Sequence, residues 1–146
     1  MILQTDSRFR DPRWKQWGCN LMTCFYFANK YGDVEWNITS MLRDARHFMM
    51  KEWVDQELAV LRYDLIYEYL CLEVEWVSRH EHFPDDYVCA ADEFEHVKWV
   101  NTHNGKTIGH FTGGNGYSIC TYDPWGDSNC VRYGYAVNKR IFRRIG

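Results

Sequence analysis

Three residues of this 146-residue chain have the side chains needed for nucleophilic catalysis: Cys19, His110 and Asp123. Cys19 follows Gly18 and opens a predicted helix, where unpaired N–H groups and the helix dipole stabilise a thiolate. A histidine can serve such a thiolate as general base and acid, and a carboxylate can orient the imidazole ring. Each residue also has an ordinary structural role, but the three in this order predict acyl transfer at a peptide or amide bond.

An acyl-transfer site also needs hydrogen-bond donors for the negative oxygen of its tetrahedral intermediate. The main-chain N–H of Cys19 is one candidate. A glutamine side chain is a second candidate, and both Gln4 and Gln16 precede Cys19. Gly18 has no side chain, so we expect it to let a substrate backbone approach the sulfur.

Three helices are predicted in the first half of the chain. They run over residues 19–31, from Asn37 or Thr39 to about 50, and over about 62–70. The first has apolar residues at helical spacing and ends at Gly32, which favours a helix stop. Residues 1–17 are predicted to be an extended lead-in, because Pro12 is unfavourable inside a helix.

Strands are predicted in the second half of the chain, over residues 73–77, 94–100, 107–123 and 131–145. A helix is the alternative for residues 94–100. Asn115-Gly116 predicts a two-residue hairpin turn, because both residues tolerate positive φ. Such a turn places His110 opposite Thr121 and puts Asp123 diagonally across on the same face. Helices followed by an antiparallel sheet predict an α+β class for residues 1–146, taken as one domain.

The overall composition excludes several classes of protein. Hydrophobic residues make up 46% of the chain, aromatic residues 17% and charged residues 25%, which is typical of a folded globular protein and not of a disordered one. No apolar run approaches the length of a membrane span. The formal net charge of −3 argues against a non-specific nucleic-acid binder.

The chain has six cysteines and shows neither a Cys-x-x-Cys pair nor a readable signal peptide at its start. We therefore expect free thiols in a reducing cytoplasm rather than three disulfides. The segment His80-Glu81-His82, together with Cys89, His96 and His103, matches no common zinc-ligand spacing. No metal and no organic cofactor is expected.

Two segments carry a resemblance to a known family. Residues 4–9 (Gln-Thr-Asp-Ser-Arg-Phe) and 17–19 (Trp-Gly-Cys) resemble the start of papain-fold cysteine peptidases that process bacteriocin leaders, the double-glycine peptidase-like group. Residues 109–111 (Gly-His-Phe) and 122–126 (Tyr-Asp-Pro-Trp-Gly) resemble the Gly-His-aromatic strand and the Asp-Pro of the same group. The chain is also similar to small proteins of this fold encoded by phages, prophages and bacterial plasmids.

This resemblance implies a papain-like fold and assigns roles to matching positions. Cys19 would be the nucleophile, His110 the general base and acid, and Asp123 the orienting carboxylate. Gln4, which lies in the matching motif, would be preferred over Gln16 as the oxyanion donor. The expected substrate is a peptide or protein, and no cofactor is implied.

Three tryptophans, Trp14, Trp17 and Trp125, flank the predicted site and are candidates for lining a substrate groove, with a place in the core as the alternative. The main functional alternative is a catalytically silent protein on the same scaffold that binds and inhibits a host protein. The high Trp content favours this alternative, as does Asn20-Leu21 where the family usually has Gly-Pro after the cysteine.

Overall fold

The computed structural model describes residues 1–81 and 88–145, which form an α+β fold. The elements are α1 (Pro12–Trp17), α2 (Cys19–Tyr31), α3 (Ile38–Met50), α4 (Tyr63–Tyr69), β1 (Val74–His80), β2 (Glu93–His103), β3 (Lys106–Gly114), α5 (Asn129–Tyr133) and β4 (Tyr135–Arg144). The strands form one antiparallel sheet in the order β1-β4-β2-β3. The predicted α+β class is confirmed.

The helices α2, α3 and α4 confirm the three predicted helices. Asn37 caps α3, since its side chain accepts a hydrogen bond from the Ser40 N–H. The prediction of an extended lead-in is wrong for α1. Pro12 is the first residue of this helix, where its missing N–H is not needed, and Asp11 caps the helix by accepting from the Arg13 N–H.

The β2–β3 hairpin turns at Asn104-Gly105, where both residues have positive φ, and not at Asn115-Gly116. The predicted two-residue turn at 115–116 is wrong. The Asn115 side chain instead accepts from the N–H groups of Tyr117 and Ser118, which forms a local turn inside a longer loop. As a result, His110 pairs with Trp99 on β2, and not with Thr121.

The C-terminal part of the sheet also differs in detail from the prediction. Residues 129–133 form the short helix α5, because Ser128 caps its first turn by accepting from the Val131 N–H. The predicted strand over 131–145 is therefore confirmed only from Tyr135 onward. The strands predicted at 73–77 and 94–100 are confirmed in β1 and β2, so the helical alternative for 94–100 is wrong.

Helix α2 is buried along most of its length and packs against the outer strand β3. Gly113 of β3 makes this close approach possible, because a Cβ atom there would lie 2.9 Å from Cζ of Phe27. An aromatic cluster around Phe27, including Phe94 and Tyr31, continues the core between helix and sheet. This packing places the first residue of α2, Cys19, beside the free edge of β3.

No helix within the described residues is long and apolar enough to cross a membrane. All six cysteines are free thiols.

Candidate active site

Cys19 is the first residue of α2 and is half-buried, with Gly18 as the N-cap. Its Sγ atom accepts a hydrogen bond from the main-chain N–H of Phe111, at a distance of 3.4 Å. This donor lies on the edge of β3, one residue after His110. A sulfur held at a helix N-terminus by an edge-strand N–H has two sources of stabilisation for negative charge.

His110 and Asp123 form a buried, hydrogen-bonded pair near this sulfur. The distance between His110 Nε2 and Asp123 Oδ1 is 2.6 Å, and both side chains are more than nine-tenths buried. Asp123 also accepts hydrogen bonds from the main-chain N–H groups of Trp125 and Ser128, each at 3.0 Å. These bonds fix the carboxylate, which in turn fixes the ring, so that Nδ1 of His110 is the nitrogen left for the chemistry.

The protonation of His110 depends on both of its partners. Burial, the largest single influence, lowers its pKa, but hydrogen bonding and charge interactions with Asp123 and Cys19 outweigh burial and raise the pKa to about 9. Interaction with the Cys19 sulfur is one of these causes, so the structure brings all three predicted residues into one cluster.

Asp123 is held in its charged form. Burial of the carboxyl acts to raise its pKa, but hydrogen bonds from His110 and Ser128 hold the pKa at about 2. An ionised Asp123 beside His110 favours the imidazolium over the neutral ring.

The two candidate glutamines occupy different environments. The Gln4 side chain is buried, and its Nε2 donates to the main-chain carbonyls of Trp14 and Lys15 at 3.1 and 2.9 Å. Its Oε1 is buried without a hydrogen-bond partner among the described residues. The Gln16 side chain is exposed and lies close to Cys19. The side-chain amide of Gln16 is therefore available to a substrate, whereas that of Gln4 already donates to two main-chain carbonyls.

The main-chain N–H of Cys19 is the other predicted donor. It has no hydrogen-bond acceptor among the described residues, as expected for the first residue of a helix. The nearest preceding carbonyl in helical register, that of Lys15, instead accepts from Gln4. This N–H belongs to the same residue as the half-buried sulfur and is free to donate to a negatively charged oxygen.

Gly18 is buried, and the space where its side chain would lie is filled by this protein's own backbone. A Cβ atom at Gly18 would lie 2.6 Å from the carbonyl oxygen of Trp14. The missing side chain therefore lets α1 and α2 join closely, which sets the position of Cys19. This differs from the sequence-based expectation that Gly18 makes room for a substrate backbone.

Replacing Gly18 by alanine is expected to lower the free energy of unfolding by about 1–3 kcal/mol, because the new methyl group must displace the α1–α2 junction. The rate of Cys19 alkylation should fall with it. Urea denaturation and iodoacetamide labelling measure the two effects. Gly109→Ala is the matched control for stability, since the nearest atom to a Cβ there is Cε of the flexible Lys98 side chain, at 3.4 Å, and the Trp99 carbonyl oxygen lies at an ordinary contact distance of 4.0 Å. Equal stability of the two variants would contradict this account of the junction.

Two cavities meet at Cys19. The first, of about 640 Å³, has Trp17, Phe111 and Arg140 in its lining. The second, of about 720 Å³, has His110 and Trp125 in its lining. Three residues line both cavities and mark their junction: Gln16, Cys19 and Gly109. The half-buried sulfur thus lies between two recesses, as is required for a site that acts on a bond in the middle of a longer molecule.

Of the three tryptophans predicted to line a groove, Trp17 and Trp125 each line one of the two cavities, whereas the prediction is wrong for Trp14. Trp17 is 38% exposed in the first cavity, and Trp125 is 40% exposed in the second. Trp14 is a core residue that stacks on Phe9 with ring centroids 4.4 Å apart.

Several residues that support the site were missed from the sequence. Asn20 is the most informative, because its Oδ1 lies 2.7 Å from Nδ1 of the buried His96, whose Nε2 lies 2.6 Å from the Tyr67 hydroxyl. Burial, together with the charge of Arg140, lowers the pKa of His96 to about 3, so the ring is neutral. A histidine on the helix-facing side of a central strand was the available signal for a buried polar network. This network anchors the first turn of α2.

Among the described residues, the histidines and Cys89 considered as zinc ligands do not form a metal site. Within residues 1–81 and 88–145, no group of three or more His, Cys, Asp or Glu side chains has the geometry to hold a metal ion. His82 lies outside the described residues.

Comparisons with models of protein families, with curated proteins and with solved structures found no match to this chain.

Proposed function

We propose that this protein is a cysteine hydrolase of papain-like fold that cleaves a peptide or amide bond. One observation carries the proposal: His110 is hydrogen-bonded through Nε2 to Asp123, while the Cys19 sulfur accepts from the N–H of the next residue, Phe111, and lines the same cavity as His110. A thiol at a helix start, a histidine and a carboxylate in this arrangement are the components of a nucleophilic triad.

In the first proposed half-reaction, the Cys19 thiolate attacks the carbonyl carbon of the substrate and forms a tetrahedral oxyanion. The C–N bond then breaks as imidazolium His110 gives its proton to the leaving amine. The products are the free amine and a thioester on Cys19. Because the pKa of His110 is raised to about 9, the ring carries the proton that this step needs at neutral pH.

In the second half-reaction, neutral His110 accepts a proton from water, and the resulting hydroxide attacks the thioester carbonyl. The C–S bond breaks as the second tetrahedral intermediate collapses, which releases the acid and returns the thiolate of Cys19. His110 keeps the proton taken from water, so the starting charge state of the pair is restored. Asp123 stays ionised throughout, since its pKa is about 2.

The oxyanion of both intermediates is proposed to bind the Cys19 main-chain N–H and the side-chain amide of Gln16. Gln16 is preferred over Gln4 because both cavities meet at Gln16, whereas the amide of Gln4 already donates to Trp14 and Lys15. Gln4 is then a positioning residue that ties the N-terminal segment to α1.

Gln16→Ala is expected to lower kcat for peptide hydrolysis by about 100-fold, the usual loss for one oxyanion donor. The rate of Cys19 alkylation should stay unchanged, because alkylation forms no oxyanion. Gln56→Ala, at an exposed glutamine that is not among the lining residues of either cavity, is the control. If Gln4→Ala instead gives the selective loss in kcat with normal stability, the oxyanion assignment passes back to Gln4.

The edge position of β3 suits an extended substrate. Gly109 is exposed, lines both cavities and lies two residues before Phe111, so its main-chain groups face the same free edge. An extended peptide can add to such an edge through main-chain hydrogen bonds. His110 must stand next to the leaving amine, so the amine side of the substrate belongs in the second cavity and the acyl side in the first.

The direct experiment is digestion of a defined peptide library by the wild-type protein and by Cys19→Ala, read by mass spectrometry. We expect new peptide termini that appear with the wild type and are absent with the variant. Cys71→Ser, which changes an exposed cysteine away from the site, should cleave like the wild type. Identical products from wild type and Cys19→Ala would contradict the hydrolase proposal and favour the catalytically silent binding protein.

A further inference from the structure

We infer that the first cavity is a subsite for an acidic residue on the acyl side of the substrate, with Arg140 and Lys98 as the groups that recognise its carboxylate. This inference rests on the proposed hydrolase function, which sets the direction of the substrate. The charges in the cavity, the burial of Arg140 and the position of His110 support it.

The cavity lining has an excess of positive charge. Arg79, Lys98 and Arg140 all contribute to it, whereas Glu57 is the one acidic residue among the described lining residues. Arg79 forms an ion pair with Glu81, so part of its charge is already neutralised. Lys98 and Arg140 have no carboxylate within ion-pair distance among the described residues.

Arg140 is a half-buried cation that makes no direct ion pair with a carboxylate among the described residues. Its guanidinium lies over the Phe111 ring, with Cζ 5.0 Å from the ring centroid, and Nη1 donates to Asn138 Oδ1 at 3.2 Å. Burial is the largest influence on its pKa and lowers it, as does the charge of Arg79, whereas Tyr63 and the Glu81 carboxylate act to raise the pKa. A desolvated cation without an anion in direct contact is unfavourable, so a carboxylate ligand that contacts the guanidinium would stabilise it.

The sheet register places Lys98 and Arg140 together on the face that forms the cavity floor. Lys98 pairs with Phe111 on β3, and His96, two residues earlier on the same face, pairs with Arg140 on β4. Helix α2 covers the part of this face around His96 and begins at Cys19. The part of the face that carries Lys98 and Arg140 therefore stays open to the cavity. A guanidinium and an ammonium on one open face match the two oxygens of a carboxylate.

The position of His110 assigns this cavity to the acyl side. As the proton donor to the leaving amine, His110 must lie on the amine side, and it is among the residues lining the second cavity and not among the described residues lining the first. The first cavity therefore receives residues that precede the scissile bond. Its aromatic walls, Trp17, Tyr63 and Trp76, supply apolar surface around the carboxylate site.

The test uses peptidyl acyloxymethyl ketones, which place their peptide on the acyl side and alkylate the sulfur. Matched probes carry one glutamate or one glutamine at the first, second or third position before the reactive carbonyl. We expect a preference for glutamate of about tenfold or more in second-order rate at one position, as is usual for a charge-assisted hydrogen bond. Arg140→Gln and Lys98→Gln should each reduce this preference, measured within each variant as the ratio of the glutamate-probe rate to the glutamine-probe rate.

The control is Lys106→Gln, which removes an exposed charge from the far end of β3 and should keep the preference. The glutamine-probe rate shows that each variant is folded at its site. Labelling of Cys19 with equal rates for glutamate and glutamine at every position would overturn this inference and leave the hydrolase proposal standing. Absence of Cys19 labelling by every probe would overturn the hydrolase proposal and the inference with it.

Discussion

His110→Ala is expected to lower kcat/KM for peptide hydrolysis by at least about 100-fold at pH 7, the usual contribution of a general acid–base residue. The variant loses both the proton donor for the leaving amine and the cation that pairs with the Cys19 thiolate. Alkylation of Cys19 by iodoacetamide should slow by about tenfold at pH 6, because an unassisted thiol is largely protonated there. Steady-state assays and timed labelling followed by mass spectrometry measure the two losses.

His47→Ala is the control for this variant. His47 lies on α3, where its ring packs against Tyr69 with ring centroids 4.7 Å apart, remote from Cys19. It should keep wild-type labelling and hydrolysis even if its stability changes. Wild-type alkylation and hydrolysis in His110→Ala would show that the histidine near the sulfur has no chemical role.

Asp123→Asn is expected to move the alkaline limit of activity to lower pH. In the wild type, hydrolysis should decline as pH rises through about 9, because His110 then loses the proton that the leaving amine requires. Without the carboxylate, burial is opposed only by the interactions with Cys19, so the pKa of His110 falls from about 9 toward its ordinary value of 6.5. The variant should therefore lose activity between about pH 6.5 and 9, where the wild type is active, and its maximal kcat should fall by at least about tenfold.

The same variant has a signature in stability that needs no substrate. The His110 pKa is raised from 6.5 to about 9, so its contribution is complete below pH 6.5 and is lost as pH rises through 9. The Asp123 pKa is lowered from 3.8 to about 2, so its contribution is present above pH 3.8 and is lost as pH falls through 2. The difference in unfolding free energy between wild type and Asp123→Asn should be largest between pH 3.8 and 6.5.

Asp64→Asn serves as the control for both readouts, because Asp64 forms an exposed ion pair with Arg62. It should leave the activity profile unchanged and contribute little to stability at any pH. A wild-type alkaline limit in Asp123→Asn would contradict the coupling between the carboxylate and the ring.

The helices were predictable because their signals are local. The apolar spacing of residues 19–31 and the Asn37 cap act within a few residues, and both appear in the structure. The errors arose where two local signals competed. Pro12 is unfavourable inside a helix yet favourable at its first position, and Asn115-Gly116 and Asn104-Gly105 both fit a two-residue turn. The hairpin turn forms at Asn104-Gly105 because a turn there allows the long pairing of β2 with β3.

The proximity of His110 and Asp123 was predicted through a wrong register. The chain returns after a longer loop, and Gly113 rather than His110 is bridged to the returning segment, at Tyr122. Asp123 still reaches the ring because it directly follows this bridge. The Phe111 N–H at the sulfur and the cationic floor around Arg140 were not predictable, since both depend on which strand forms the sheet edge and on the pairing of distant strands.

The central claim, that His110 activates Cys19, is tested most directly by the pH dependence of iodoacetamide alkylation at each of the six cysteines. Burial raises the pKa of four thiols, which should make them slow: Cys24, Cys89, Cys120 and Cys130. Cys71 is exposed and serves as the internal reference. We predict that Cys19 reacts at least about tenfold faster than Cys71 at pH 6, and that His110→Ala removes this advantage. Equal rates for Cys19 and Cys71 at pH 6 in the wild-type protein would contradict the account.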